Sequence, residues 1–129
     1  MTTELKYLAL AAAWNAVIWI PYILNMISVR GLKEAVGYPD NPAPMAAWAE
    51  RLKAAHYNAV ENLVLFAAVI LVADAAGIAN DATAASAVVF FWARVVHTLS
   101  YTLAVPWVRT LSFAVGWAAV LCILSQILL

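Results

Sequence analysis

The sequence predicts an all-α integral membrane protein, in which residues 1–129 form a single domain built as a four-helix bundle. The first observation is composition: 67% of the 129 residues are hydrophobic and only 11% are charged, whereas a soluble domain is closer to half apolar and a quarter charged. The second observation is that the apolar residues fall into four long stretches. Each stretch has the roughly 20 residues that a helix needs to cross a bilayer.

The four predicted helices cover about residues 5–29, 45–74, 82–105 and 107–129. The first is too long for the apolar region of a cleavable signal peptide, and no small-residue cleavage site follows it. Between the first two lies RGLKEAVGYPDNPAP, which holds three of the five prolines and two of the four glycines and predicts the only substantial loop. The second connection, DAAGIAND, is short and acidic, and Pro106 predicts a tight turn before the fourth helix.

The basic residues predict the orientation in the membrane. The first loop is flanked by four of them and the third by one, whereas the second connection has Asp74 and Asp81 and no basic residue. By the positive-inside rule, the first and third loops should be cytoplasmic and both termini outside, in the cell (inner) membrane if the source is bacterial. Lys6, near the N-terminus, is the one basic residue that argues against this orientation. The basic residues that flank the first and third loops are Arg30, Lys33, Arg51, Lys53 and Arg109.

Several kinds of site are disfavoured by the sequence. The net charge is zero and the basic residues are scattered, which argues against a nucleic-acid surface. The single cysteine, Cys122, excludes an intramolecular disulfide and a cysteine-rich metal site. His56 and His97 belong to different predicted helices without a nearby cysteine or aspartate, so we expect no metal centre. Asp74 and Asp81 lie at the outer end, away from the other polar residues, so catalysis by a pair of carboxylates is not indicated.

Polar residues nonetheless form stripes on three predicted helices, toward the ends that we place on the cytoplasmic side. Residues three, four and seven positions apart share one face of a helix. Because polar groups cannot face lipid without partners, these stripes should face each other or water. The stripes comprise Arg51, Asn58 and Asn62 with Glu61 beside them, then Arg94, His97, Thr98 and Tyr101, and finally Arg109 and Thr110 continued by Phe113 and Gly116.

Any one of these residues alone is explained by helix packing, and Arg94 with Glu61 would make a reasonable structural ion pair. Taken together, they converge at one membrane depth and indicate a binding site. An arginine guanidinium can bind a carboxylate through two parallel hydrogen bonds, and a glutamate carboxylate can bind an ammonium group. The stripes therefore predict a site for an anionic or zwitterionic ligand that enters from the cytoplasm.

Two stretches carry a family resemblance: RLKAAHYNAVEN, residues 51–62, and ARVVHTLSYTLAVPWVRTLSFAVG, residues 93–116. In this order they resemble bacterial-type members of the MAPEG family, the membrane-associated proteins of eicosanoid and glutathione metabolism. The resemblance implies a homotrimer of four-helix subunits that binds glutathione, as co-substrate, at subunit interfaces. It also implies transferase or peroxidase activity on lipophilic electrophiles or hydroperoxides.

With the polar stripes, the resemblance assigns roles to nine residues. Arg109 matches the arginine that stabilises the glutathione thiolate, and Thr110 takes the place of a neighbouring hydroxyl residue. The residues expected to bind glutathione are Arg30, Arg51, Asn58, Glu61, Arg94, His97 and Tyr101.

The sequence departs from the family pattern at three positions. Ala54 replaces a common arginine, Val64 replaces a proline that would kink the second helix, and Phe113 replaces a tyrosine of some family enzymes. These departures keep open a non-catalytic membrane scaffold or binding protein of the same fold. A small multidrug transporter is disfavoured, because it would carry a carboxylate in its first helix and residues 5–29 have none.

Overall fold

The computed structural model describes all residues from 1 to 129, and it contains helices and short connections only. In chain order the helices are α1 (Thr3–Val17), α2 (Trp19–Arg30), α3 (Leu32–Val36), α4 (Ala47–Ala75), α5 (Asp81–Thr102) and α6 (Pro106–Leu128). Four spans, Thr3–Arg30, α4, α5 and α6, are long and apolar enough to cross a membrane. The predicted all-α membrane bundle of four spans is confirmed.

The first span is interrupted, although the sequence predicted one helix over residues 5–29. α1 ends at Val17 and α2 starts at Trp19, with Ile18 between them. Pro21 lies in the first turn of α2. The N–H groups of a first turn have no partner within the helix, so a proline is tolerated there. α2 is connected to α4 by a side-chain contact, because the Tyr22 hydroxyl lies 2.7 Å from Nδ1 of His56.

The connection between α5 and α6 is a tight turn, as Pro106 predicted, but α5 ends earlier than expected, at Thr102. The N–H of Val105 donates to the carbonyl of Ser100 at 2.9 Å, and the N–H of Ala104 donates to that of Tyr101 at 3.2 Å. This pair of bonds is the Schellman pattern that closes helix C-termini, and it requires the left-handed conformation that Ala104 adopts (φ 60°). Pro106 starts α6 immediately afterwards.

The bundle core lies between the long helices. The rings of Phe66 on α4 and Phe90 on α5 are stacked at 3.9 Å, and both side chains are fully buried. α5 packs most extensively on α6, where Ala93 and Gly116 leave room for close approach. Small residues at such contacts are typical of membrane bundles, since van der Waals packing is the main attraction between helices in lipid.

A cluster of polar residues connects the helix termini at the end of the bundle opposite the polar stripes. Glu4 of α1 is buried and accepts a hydrogen bond from the hydroxyl of Thr83, in the first turn of α5. Asn80 caps α5 through a capping box with Thr83 and also donates to Gln126 of α6 at 3.0 Å. Because a carboxylate is favourable beside helix N-termini, this cluster has a structural explanation.

Candidate functional site

A cavity of about 320 Å³ opens between α4, α5 and α6, near the turn that joins α5 to α6. α4 presents Asn58, the last two turns of α5 present His97 and Tyr101, and the turn brings the start of α6 alongside them. Five of the nine residues predicted for the site line this cavity. Its lining residues are Asn58, His97, Tyr101, Arg109, Thr110 and Phe113.

Arg109 and Tyr101 form one side of the cavity. The guanidinium carbon of Arg109 lies 4.8 Å from the centre of the Tyr101 ring, within range of a cation–π interaction. Arg109 is exposed and belongs to the first turn of α6, where the helix dipole also favours negative charge. The hydroxyl of Thr110 donates to the carbonyl of Pro106 at 3.1 Å, which leaves its oxygen free to accept. This corner is therefore suited to a negatively charged group.

A second cavity, of about 200 Å³, shares Tyr101 and Arg109 with the first and is also lined by Arg51. Nε of Arg51 donates to the carbonyl of Thr102 at 2.9 Å and so satisfies one of the unpaired carbonyls at the end of α5. The other N–H groups of this guanidinium remain available. Arg51, Arg109 and Tyr101 thus line one cavity that adjoins the first.

Arg94 lies behind the wall of the cavity. It is only 4% exposed, and its Nη2 donates to Oδ1 of Asn58 at 2.5 Å. Its guanidinium also lies over the Phe113 ring, at 5.9 Å. Glu61, which would be its partner in a structural ion pair, is exposed on α4. The contact of Arg94 within the chain is therefore made with Asn58.

His97 lies between two aromatic rings of the cavity wall, with ring centres 5.7 Å from Tyr101 and 6.1 Å from Phe113. Its Nδ1 is buried and has no hydrogen-bonding partner in the chain. Thr98, grouped with His97 by helical periodicity, faces α1 instead: its hydroxyl accepts from Nε1 of Trp14 at 3.2 Å and donates to the carbonyl of Arg94 at 3.0 Å. The polar stripe of α5 is therefore divided between the cavity and the α1 interface.

Arg30 and Glu61 are not brought to the cavity by a single chain. Nε of Arg30 donates to the carbonyl of Ala43 in the first loop at 2.7 Å. α2, which carries Arg30, packs on α4 and not on α5 or α6. Glu61 is exposed on α4, one turn beyond Asn58. These two residues can complete the site only if a second copy or a ligand reaches them.

Asn62 is a residue whose role the stripe pattern did not identify. Its Nδ2 donates to the backbone carbonyl of Asn58 at 2.9 Å and approaches Oδ1 of Asn58 at 3.3 Å. The i, i+4 spacing of the two asparagines was the available signal. At the positions that depart from the family pattern, Ala54 and Val64 are exposed, α4 runs uninterrupted past Val64, and Phe113 lines the cavity.

No group of three or more histidine, cysteine, aspartate or glutamate side chains is placed to hold a metal ion. No curated protein and no solved structure matches the chain. The family model of the MAPEG family matches residues 8–129, which is nearly the whole sequence and includes every residue of the cavity. The resemblance carried by the two motifs is thus confirmed, and the chain belongs to the MAPEG family.

Proposed function

We propose that this protein is a membrane-bound glutathione transferase or peroxidase that acts on lipophilic electrophiles or hydroperoxides. The observation that carries the proposal is the cavity in which Asn58, His97, Tyr101, Arg109 and Thr110 meet within the membrane-spanning bundle. Membership of the MAPEG family supports glutathione-related chemistry at a membrane. The proposal adds glutathione as the co-substrate and this cavity as its site.

The chemistry of the cavity fits glutathione. A tripeptide with two carboxylates and an ionisable thiol needs cationic and amide donors, and the two adjoining cavities offer Arg51 and Asn58 for the docking groups and Arg109 for the thiolate. The combined size, about 320 Å³ and about 200 Å³, falls within the range of small-molecule sites.

The proposal includes a homotrimer with the site at the subunit interface, as in the family resemblance. Glu61 supports it, because this carboxylate is exposed near the middle of α4, and a charged group at that depth cannot face lipid at low cost. A neighbouring copy would cover Glu61 and would bring its own α2, with Arg30, to the cavity. Glu61 would then take the ammonium of glutathione, and Arg30 a carboxylate.

Arg109 supplies the catalytic chemistry in this proposal. A thiol of pKa about 8.5 is mostly protonated at neutral pH, whereas its thiolate is the nucleophile. A positive charge within about 4–6 Å lowers the pKa of an acid by about 1–3, and a shift of about 2 or more makes the thiolate the major form at neutral pH. The sulfur then forms a bond to an electrophilic carbon or to a peroxide oxygen, and the leaving group departs with the bonding electrons.

A non-catalytic binding protein of the same fold is the second candidate, favoured by one observation: Phe113 gives the cavity wall no hydroxyl. Calorimetric titration of the detergent-purified protein with glutathione, followed by turnover assays, tests both functions. The enzyme predicts binding, an ultraviolet absorbance of the thiolate below about pH 8, and turnover. Binding without either the absorbance or turnover would decide for the second candidate.

Glu61→Gln is expected to weaken glutathione binding by more than tenfold. The variant keeps the size of the side chain but loses the charge, and a hydrogen bond to a charged group contributes about 1.5–3 kcal/mol. Glu50→Gln is the matched control, since Glu50 is exposed on the same helix three turns closer to the first loop. Titration calorimetry of the two variants measures the difference. Equal affinities in the wild type and in Glu61→Gln would remove Glu61 from the site.

We also propose that the first and third loops face the cytoplasm and that both termini lie outside. In a Cys122→Ser background, Tyr38→Cys should react with a membrane-impermeant maleimide only in inside-out vesicles. Tyr38 is fully exposed in the first loop, so its reactivity reports the side of the membrane alone. Ala79→Cys, exposed in the second connection, should show the reverse labelling. Labelling of residue 38 from outside intact cells would contradict this topology.

A further inference from the structure

The side-chain amide of Asn58 is held in one orientation by two neighbours. Nη2 of Arg94 donates to its Oδ1 at 2.5 Å, and Nδ2 of Asn62 approaches the same oxygen at 3.3 Å. A guanidinium only donates, so the atom of Asn58 that faces Arg94 has to be oxygen. The hydrogen bonds of the chain therefore occupy the amide oxygen of Asn58 and leave its Nδ2 without a partner.

Because Asn58 lines the cavity, the free Nδ2 is the atom that it can offer to a ligand. We propose that Arg94 is a positioning residue, which locks Asn58 so that Nδ2 donates into the cavity. This point of the site then selects a ligand group that accepts hydrogen bonds, a carboxylate or carbonyl oxygen, and disfavours a donor. The inference rests on the proposed function only for the identity of the ligand.

The burial of Arg94 supports a role behind the wall and not at the ligand. Its side chain is 4% exposed and does not line the cavity. α6 covers its aliphatic stem, because a Cβ at Gly116 would lie 3.6 Å from Cδ of Arg94. A buried charge without a carboxylate partner depends on the hydrogen bonds that it has, and a charge-assisted bond of this kind is strong and directional. Arg94 thus acts on the ligand through Asn58.

Asn58→Asp tests whether Arg94 fixes the orientation of the Asn58 amide, because aspartate has the same shape but two acceptor oxygens. Arg94 gains a carboxylate partner, so the melting temperature of the purified protein should rise. The donor toward the cavity is lost at the same time, so glutathione affinity should fall by at least about tenfold. A loss of binding that accompanies a gain of stability is not expected of a residue with a purely structural role. Unchanged affinity, or a lower melting temperature, would overturn the inference.

A double-mutant cycle separates positioning from direct contact. Arg94→Met should weaken glutathione binding in the wild-type background and cause no further loss in an Asn58→Ala background. Arg94→Lys, which still donates to Oδ1, should restore most of the affinity and serves if the methionine variant does not fold. If the losses of glutathione affinity in the two backgrounds are additive, Arg94 contacts the ligand itself and the proposed positioning role is wrong.

The two proposals fail in different ways. If the wild type does not bind glutathione, the proposed function is wrong, whereas the rise in melting temperature of Asn58→Asp still tests the contact with Arg94. If the wild type binds glutathione and Asn58→Asp binds it equally well, the proposed function stands and the positioning role of Arg94 is wrong.

Discussion

Arg109→Leu is expected to lower glutathione-dependent turnover by about 10²-fold, the usual effect of removing one preorganised electrostatic stabiliser from an active site. Arg109 is exposed at the first turn of α6 and lies 4.8 Å above the Tyr101 ring, beside Thr110. In the proposed mechanism its charge stabilises the thiolate, whereas other residues dock the ligand. Glutathione affinity should therefore stay within a few-fold, and the loss should appear in kcat and kcat/KM alike.

The thiolate is the direct readout of this prediction. The pH at which its absorbance appears should move up toward about 8.5, the pKa of a free thiol, in Arg109→Leu. Arg109→Lys keeps the charge and should retain part of the activity. Lys53→Leu is a matched control, because Lys53 also lies over a tyrosine ring, that of Tyr57 at 5.8 Å, but outside the cavity. Turnover that survives in Arg109→Leu would exclude Arg109 as the thiolate-stabilising residue.

The spans were predictable because an apolar run of membrane length has few alternatives to a helix. The break at Ile18 was not, since a proline at position 21 is compatible with the first turn of a new helix or with a kink inside one. The early end of α5 depends on Ala104 in a left-handed conformation, which the sequence does not mark because glycine usually takes that place. Local composition thus located the spans but not their interruptions.

The site was predictable to the extent that helical periodicity places residues on one face. Asn58, His97, Tyr101, Arg109 and Thr110 meet at the cavity, as the stripes indicated. A stripe about 100° wide has two edges, however, and periodicity does not say which edge meets which helix. Thr98 and Arg94 consequently lie inside the bundle. Arg30 and Glu61 do not line either cavity in the single chain, so their roles remain predictions.

Gly116→Leu is expected to destabilise the bundle and to weaken glutathione binding by tenfold or more. A Cβ at this position would already lie 3.6 Å from Cδ of Arg94 and 3.8 Å from both Ala93 and the Phe90 ring. The rest of a leucine side chain has no space there unless α5 and α6 separate or the stem of Arg94 moves. Overpacking of this kind typically costs about 1–3 kcal/mol. Displacement of Arg94 would also release the amide of Asn58, which accepts its hydrogen bond at 2.5 Å.

Gly116→Ala is the matched control, since its contacts of 3.6–3.8 Å are ordinary van der Waals distances. Alanine is also favoured over glycine inside a helix by about 0.5–1 kcal/mol, so this variant should be as stable as the wild type or more stable. Val115→Leu, on the exposed face of the same turn, should change neither property. Thermal melts and glutathione titrations of the three variants measure both effects. Because the expected loss of binding acts through Arg94 and Asn58, a Gly116→Leu protein that melts lower but binds normally would show that packing between α5 and α6 is independent of the site.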